Sequence, residues 1–233
     1  MTSSATRRTP ARPEFRNGFF FKRPSGARRR PHSLLEGFGM SKIAVLTSGM
    51  QYDIVGKNPE RAAAIAAATP RVTEFLAEMR KRDCPVFHLQ LINQPDDPLA
   101  ERYDGRVPAL RGTPGAEVIQ EFLGSDDVIQ ERSKDSGFYE TDLHERLQAA
   151  GVEALVLIGL QTQICIQTTA ADAFFRGYIV AVPSDCVFSA VEADRLRALE
   201  WLESYCATVA DSTEILRVID ESGSLPRKET KTP

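Results

Sequence analysis

EALVLIGLQTQICIQTTAADAFFRG, residues 153–177, is the stretch that decides the fold. It opens with an uninterrupted apolar run at 154–160, which has the length and composition of a strand buried on both faces of a parallel sheet. The apolar spacing then changes to that of a helix, which is predicted to end at Gly177. Cys165 is therefore expected in the first turn of a helix at the carboxyl end of a central strand, where open α/β sheets bind ligands.

Two interpretations of Cys165 follow from this position. The amino end of a helix carries partial positive charge and free N–H groups, which favour a thiolate and can hold an oxyanion. A single cysteine in an apolar segment is also often a small buried hydrophobic residue. Position alone does not decide between a nucleophile and a core residue.

The rest of the chain alternates strands and helices. This alternation predicts a three-layer α-β-α fold with a six-stranded, mostly parallel, doubly wound sheet and right-handed crossovers. Helices are expected at 58–82, with a possible division at Pro70, and at 141–150, with Thr141 as the N-cap, and a short helix is expected near 116–122. The predicted strands are 43–47, 85–90, 127–130, 154–160, 179–182 and 207–209.

The block G-L-Q-T-Q-I-C-I-Q-T-T-A-A-D-A-F-F-R-G-Y, from Gly159 to Tyr178, resembles the signature of the isochorismatase-like cysteine hydrolases. The resemblance extends over about residues 41–220 and places Cys165 on the nucleophile of that family. It implies an oxyanion site made by the backbone N–H groups of Cys165 and of Gln161 or Thr162. It also implies a cis peptide bond in this turn, for which Leu160–Gln161 is the candidate.

The family triad also contains an Asp at the end of the first strand, and here the chain departs from it. Aligning Met50-Gln51 with the family's x-Q places Gly49 at the Asp position, and glycine cannot accept a proton. The nearest carboxylate along the chain is Asp53, which would need a rearranged loop to reach the site. Its alternative role is that of a turn or capping residue.

The third triad position, a Lys near the end of the third strand, is altered as well. The segment R-S-K-D-S-G-F-Y-E-T-D-L matches the family pattern with Arg132 at the Lys position. A forked guanidinium keeps the charge but not the geometry of an ammonium group. Lys134, on the same face of an extended chain, is the alternative cation, and both residues are also plausible surface charges.

Two further residues are candidates for lining the substrate pocket. Gln51 follows the first strand, where a glutamine can face a ligand or hydrogen-bond a loop. Phe138 can pack on a substrate or belong to the core.

The resemblance implies a hydrolase that cleaves a C–N amide, ureido or lactam bond in a small molecule through a Cys165 acyl-enzyme. The alternative is a catalytically impaired homologue, with Gly49 and Arg132 at the family's Asp and Lys positions, that binds a small molecule or a partner protein. A redox-responsive thiol protein is a third possibility. The resemblance also implies a homo-oligomer, either a dimer or a tetramer.

Several kinds of site are not expected. The chain has no Gly-rich phosphate loop and no Asp-x-His pair after the second strand, so we predict no cofactor and no metal. Four cysteines without CxxC spacing are typical of reduced thiols, which predicts a cytoplasmic protein. No apolar run is long enough for a membrane span, and we expect neither membrane nor nucleic-acid binding.

The amino-terminal segment, residues 1–39, differs from the rest of the chain. It carries nine basic and two acidic residues, whereas the whole chain has a net charge of −3. Such a segment is expected to be disordered. It could be a basic arm, a transit peptide, or an extension that precedes a true start at Met40, and we favour the last of these. Residues 40–222 are the predicted hydrolase domain, and 223–233 a disordered tail.

Overall fold

The protein was analysed as a computed structural model that describes residues 43–96 and 106–228. Within them, six parallel strands form one sheet in the order β3-β2-β1-β4-β5-β7, and a two-residue strand, β6, pairs with β4. The strands are β1 (Ile43–Ser48), β2 (Val86–Leu91), β3 (Val128–Arg132), β4 (Ala154–Leu160), β5 (Ile179–Pro183), β6 (Val187–Phe188) and β7 (Thr208–Ala210). The prediction of a mostly parallel sheet is confirmed, with β6 as an addition.

Helices lie on both faces of the sheet. They are α1 (Tyr52–Val55), α2 (Pro59–Lys81), α3 (Leu143–Ala149), α4 (Gln167–Phe175), α5 (Glu192–Tyr205) and α6 (Ser212–Ser222). A π-helical turn, Thr162–Ile166, joins β4 to α4, and two short 3₁₀ turns lie at Pro114–Ala116 and Gln120–Phe122. These two turns stand where the sequence predicted one short helix at 116–122.

Two apolar layers hold the helices on the sheet because side chains alternate along each strand. Ile43 and Val45 of β1 point into the layer covered by α2 and α6. Ala44 and Leu46 point into the opposite layer, which is covered by α3, α4 and α5. Strands buried on both faces explain the continuous apolar runs in the sequence.

Two helix predictions need correction. Helix α2 runs through Pro70 without a division, because buried residues on both sides of the proline, Ile65 and Val72 among them, pack in one continuous layer. Helix α3 has Asp142, not Thr141, at its N-cap position. The Thr141 hydroxyl instead donates a hydrogen bond to the Gly137 carbonyl, 2.6 Å away.

The predicted extension at residues 1–39 lies outside the described residues. The predicted carboxyl-terminal tail is described as far as Lys228, and its Leu225 is buried in the layer beneath α2 and α6. Within the described ranges, the helices are all too short or too polar to cross a bilayer.

Candidate active site

Cys165 lies in the π-helical turn that follows β4. The peptide bond between Leu160 and Gln161 is cis, as predicted. The Gln161 carbonyl accepts hydrogen bonds from the N–H groups of Ile164 (3.1 Å) and Ile166 (3.2 Å), which closes the turn. Cys165 is half-buried here, so its thiol is fixed by the turn and still accessible.

Arg132, the last residue of β3, contacts the thiol directly. Its side chain is buried, and Nη2 lies 3.5 Å from Cys165 Sγ and 3.1 Å from Ser48 Oγ. Nη1 donates to the Lys134 carbonyl at 2.5 Å. These contacts direct the guanidinium at the sulfur, which places a positive charge where a thiolate would form.

A carboxylate faces the thiol from the loop between β3 and α3. Cys165 Sγ lies 3.6 Å from Asp135 Oδ1 in a geometry that lets the S–H group donate. Asp135 is exposed, in contrast to the buried Arg132. The thiol therefore lies between a guanidinium and a carboxylate.

The end of β1 contributes a hydroxyl through Ser48, not through the position that the sequence alignment assigned. Ser48 is buried, and its Oγ is the β1 side-chain atom that contacts Arg132. Gly49 has a φ of +68°, and a Cβ built on it would lie 2.3 Å from the Leu160 carbonyl oxygen. A side chain on this backbone at Gly49 would thus collide with the backbone of the turn that carries Cys165.

Two of the predicted catalytic residues, Asp53 and Lys134, have side chains that contact groups other than the Cys165 thiol or are exposed. Among the contacts of the described residues, Asp53 accepts hydrogen bonds from Arg106 Nη2 (3.0 Å) and from the Ala109 N–H (2.9 Å). This is the turn-capping role that the sequence left open for it. Lys134 is exposed, and it meets Arg132 through its backbone carbonyl and not through its ammonium group.

The predicted binding residues are largely engaged in the structure. The Gln51 amide is buried and bonds to the backbone of Leu91 and Ala116, so it fixes a loop. Phe138 is buried and stacks on Tyr178, with ring centroids 6.0 Å apart. Both side chains are therefore structural in this conformation.

Gln161 and Thr162 shape the turn. The Thr162 hydroxyl donates to the Phe188 carbonyl at 3.0 Å, which fastens the turn to β6. The side-chain oxygen of Gln161 accepts a long hydrogen bond, 3.5 Å, from the Ala190 N–H. These contacts hold the backbone on either side of the cis peptide bond.

An open cleft of about 360 Å³ adjoins the same turn. It lies between the turn and α5 and is lined by Gln163, Gln167, Asp194, Arg197, Ala198 and Trp201. Within residues 43–96 and 106–228, no three His, Cys, Asp or Glu side chains are grouped so that they could hold a metal ion.

Sequence reasoning missed Asp135 and Ser48. The available signal for Asp135 was an acidic residue in the R-S-K-D-S-G-F segment, three residues after Arg132, which the resemblance places at the position of the family Lys. Ser48 was missed because aligning Met50-Gln51 with the family pattern places Gly49, and not Ser48, at the position of the family Asp.

Comparisons with known proteins identify the family of the chain. The family model of the isochorismatase domain matches residues 43–214. The chain is similar to nicotinamidase 3 of Arabidopsis thaliana, at 36% identity over 112 residues, which cover 46% of this chain and 56% of that protein. The chain spans about half the length of the curated relatives it matches.

Two solved structures are similar over most of the chain. An isochorismatase-like hydrolase from Alkaliphilus metalliredigens has a TM-score of 0.69 at 28% identity, covering 76% of this chain and 98% of that one. N-carbamoylsarcosine amidase from Thermoplasma acidophilum has a TM-score of 0.64 at 29% identity, covering 73% and 96%. With the parallel sheet and the cysteine turn after its fourth strand, this chain belongs to the isochorismatase-like superfamily.

Proposed function

We propose that this protein hydrolyses a C–N bond of an amide, ureido compound or lactam in a small molecule, through a thioester on Cys165. The observation that carries the proposal is the 3.5 Å contact between the Arg132 guanidinium and Cys165 Sγ in the turn after β4. A cation at this distance stabilises a thiolate, which is the nucleophilic form of cysteine. The names of two relatives, nicotinamidase and N-carbamoylsarcosine amidase, denote hydrolysis of C–N bonds and support the same class of reaction.

The turn supplies the other requirement of acyl transfer. Attack by sulfur on a carbonyl carbon moves negative charge to the carbonyl oxygen, which needs N–H donors fixed in advance. We assign this role to the backbone N–H groups of Cys165 and of Gln161 or Thr162. The contacts of Thr162 with Phe188 and of the Gln161 carbonyl with Ile164 keep this backbone in place.

One observation favours a second candidate function. The residue at the end of β1 that reaches Arg132 is Ser48, which offers a hydroxyl where the family resemblance implies a carboxylate. A hydroxyl is a poor proton acceptor at neutral pH. A protein that binds a small molecule or a partner without turning it over is therefore the alternative.

Ammonia release from a panel of small amides, ureido compounds and lactams tests the proposal. The Cys165→Ala variant should lose at least about 10³-fold in rate, because an alanine side chain cannot form the thioester. Thr168→Ala, three residues after Cys165, serves as the matched control, since among the described residues its hydroxyl bonds to the helix carbonyls of Ile164 and Cys165.

The outcomes separate the two candidates. Release that disappears in Cys165→Ala and persists in Thr168→Ala supports the hydrolase. If the wild-type protein binds members of the panel by calorimetry and converts none of them, the binding protein is supported and the hydrolase is rejected.

A further inference from the structure

We propose that Asp135 is the proton-transfer residue of this site: it takes the proton of the Cys165 thiol and delivers it to the leaving nitrogen. The inference rests on the proposed hydrolase function and assigns a residue that the family resemblance does not. Its first support is the contact of 3.6 Å between Cys165 Sγ and Asp135 Oδ1, in which the S–H group is the donor.

The loop that carries Asp135 is fastened to the helix that follows Cys165. The Thr169 hydroxyl donates to the Asp135 carbonyl (3.4 Å) and accepts from the Gly137 N–H (3.2 Å). The next residue, Ser136, donates to Asp172 Oδ2 at 2.7 Å. Thr169 and Asp172 belong to α4, which directly follows the turn that carries Cys165, so these bonds hold the loop of Asp135 beside that turn.

Arg132 fixes the start of the same loop. Its Nη1 group donates to the Lys134 carbonyl, immediately before Asp135, while Nη2 contacts Cys165 Sγ. One buried guanidinium thus sets the position of the nucleophile and of the segment that presents the carboxylate. The backbone of Asp135 is fixed by these contacts, whereas its side chain is exposed and can contact substrate and water.

The end of β1 supplies no competing base. Ser48 presents a hydroxyl, and the backbone at Gly49 excludes a side chain. Among the carboxylates of the described residues, Asp135 is the one with a hydrogen bond to the thiol. The chain therefore places its carboxylate on the β3–α3 loop.

The proposed steps balance as follows. The S–H bond breaks, its proton moves to Asp135 Oδ1, and the sulfur electron pair forms a C–S bond with the carbonyl carbon while the C=O π pair moves to oxygen. The C–N bond then breaks while nitrogen takes the proton from Asp135, leaving a thioester and a free amine or ammonia. Water attacks the thioester and gives one proton to Asp135. The C–S bond breaks, the acid is released, and Asp135 returns that proton to sulfur.

The test compares Asp135→Asn with Glu140→Gln, an isosteric loss of one negative charge on the same exposed loop. Two rates are measured: ammonia release, and alkylation of Cys165 by iodoacetamide at pH 7, followed by intact mass with Cys165→Ala as the blank. Asp135→Asn should lower ammonia release by about 10²–10⁴-fold, the usual contribution of a positioned acid–base group. It should raise alkylation roughly tenfold, because removing a carboxylate beside the sulfur favours the thiolate.

Opposite changes in the two rates distinguish proton transfer from a structural role, which would not accelerate alkylation while slowing hydrolysis. Ammonia release within about threefold of the wild type in Asp135→Asn would overturn the proposal. Equal alkylation rates in Asp135→Asn and Glu140→Gln would overturn it as well. If Cys165→Ala still releases ammonia, or if the wild type turns over nothing, the proposed function is rejected and the Asp135 assignment is rejected with it. An active wild type that depends on Cys165, together with an Asp135→Asn variant that keeps its rate, rejects the Asp135 assignment alone.

Discussion

Ser48 and Gly49, at the end of β1, determine where a carboxylate can be introduced on that side of the active site. Gly49 has a left-handed φ of +68° and lies against the Leu160 carbonyl. Ser48, one residue earlier, already directs its side chain at Arg132. Neighbouring residues on a strand point to opposite faces, so a shift of one position decides whether a side chain enters the site.

We predict that Ser48→Asp restores ammonia release to the Asp135→Asn variant, because the new carboxylate would lie beside Arg132 and close to the thiol. A recovery of at least about tenfold in kcat/KM is expected if proton transfer is the missing step. Steady-state ammonia assays of the single and double variants measure it. A double variant that folds, shown by an unchanged circular dichroism spectrum, and remains as slow as Asp135→Asn would contradict the prediction.

Gly49→Asp is expected to behave differently from Ser48→Asp. A Cβ at 2.3 Å from a backbone oxygen must displace the Leu160–Gln161 turn, and the positive φ adds strain of about 1–3 kcal/mol. Chemical denaturation should therefore show a loss of stability, with no recovery of activity in the Asp135→Asn background. Gly112→Asp is the control, since Gly112 shares a positive φ but has open space at its Cβ. Equal stability of the two variants would show that the contact at Gly49 is relieved without cost.

At the level of elements, a buried chain of hydrogen-bonded polar side chains connects β1, β2, the start of β3 and α2. His88 of β2 hydrogen-bonds Thr47 Oγ1 at 2.7 Å and Asp127 Oδ2 at 2.8 Å. Asp127, just before β3, also accepts bonds from Arg80 of α2 and from the Gly124 N–H. Burial by itself would raise the pKa of Asp127, but the bonds from His88, Arg80 and Gly124 outweigh it and lower the pKa to about 2.

This pKa predicts how stability depends on pH. The folded value of about 2 lies below the ordinary value of 3.8, so the ionised carboxylate stabilises the folded state by roughly 2 kcal/mol above about pH 4. The contribution is lost as the pH falls from about 4 through about 2. In Asp127→Asn, urea unfolding at pH 7 should show a lower stability, and the share of the acid dependence that comes from Asp127 should disappear.

Asp220→Asn is the matched control for this prediction. Asp220 also pairs with an arginine, Arg82, but its side chain is more than half exposed, so its removal should change stability much less. Equal losses in the two variants would show that the buried chain contributes no more than a surface ion pair.

The elements themselves were predictable where apolar pattern and burial agree. The strands of the sheet centre are buried on both faces, so their sequences are continuous apolar runs. Predictions from the local sequence were wrong or incomplete where packing or the conformation of a loop determines the structure. Pro70 reads as a helix break, yet α2 continues because its apolar face is covered on both sides of the proline. Asp135 is polar and exposed, and only the folding of its loop onto α4 makes it a neighbour of Cys165.

At the scale of the whole molecule, the described residues include an exposed aromatic surface on α4 and α5. Phe175, Trp201 and Tyr205 are 69%, 37% and 40% exposed. Their rings contact one another around Tyr205, with centroids 6.4 Å from Phe175 and 5.1 Å from Trp201. We name these three residues the aromatic patch. Exposed apolar groups of this kind are typical of protein interfaces and are enriched in the residues that dominate binding.

We predict that the aromatic patch joins copies of this chain into a dimer or tetramer, and that Phe175→Glu dissociates it. Burying a charge in place of an aromatic contact costs at least about 2 kcal/mol per interface, which raises the dissociation constant roughly 30-fold. Sedimentation velocity over a concentration series measures the change. Ile129→Glu is the control, because Ile129 is 42% exposed on the edge strand β3 and lies outside the patch. A wild-type protein that stays monomeric at high micromolar concentration, or an assembly that Phe175→Glu leaves intact, would show that the patch does not join copies of the chain.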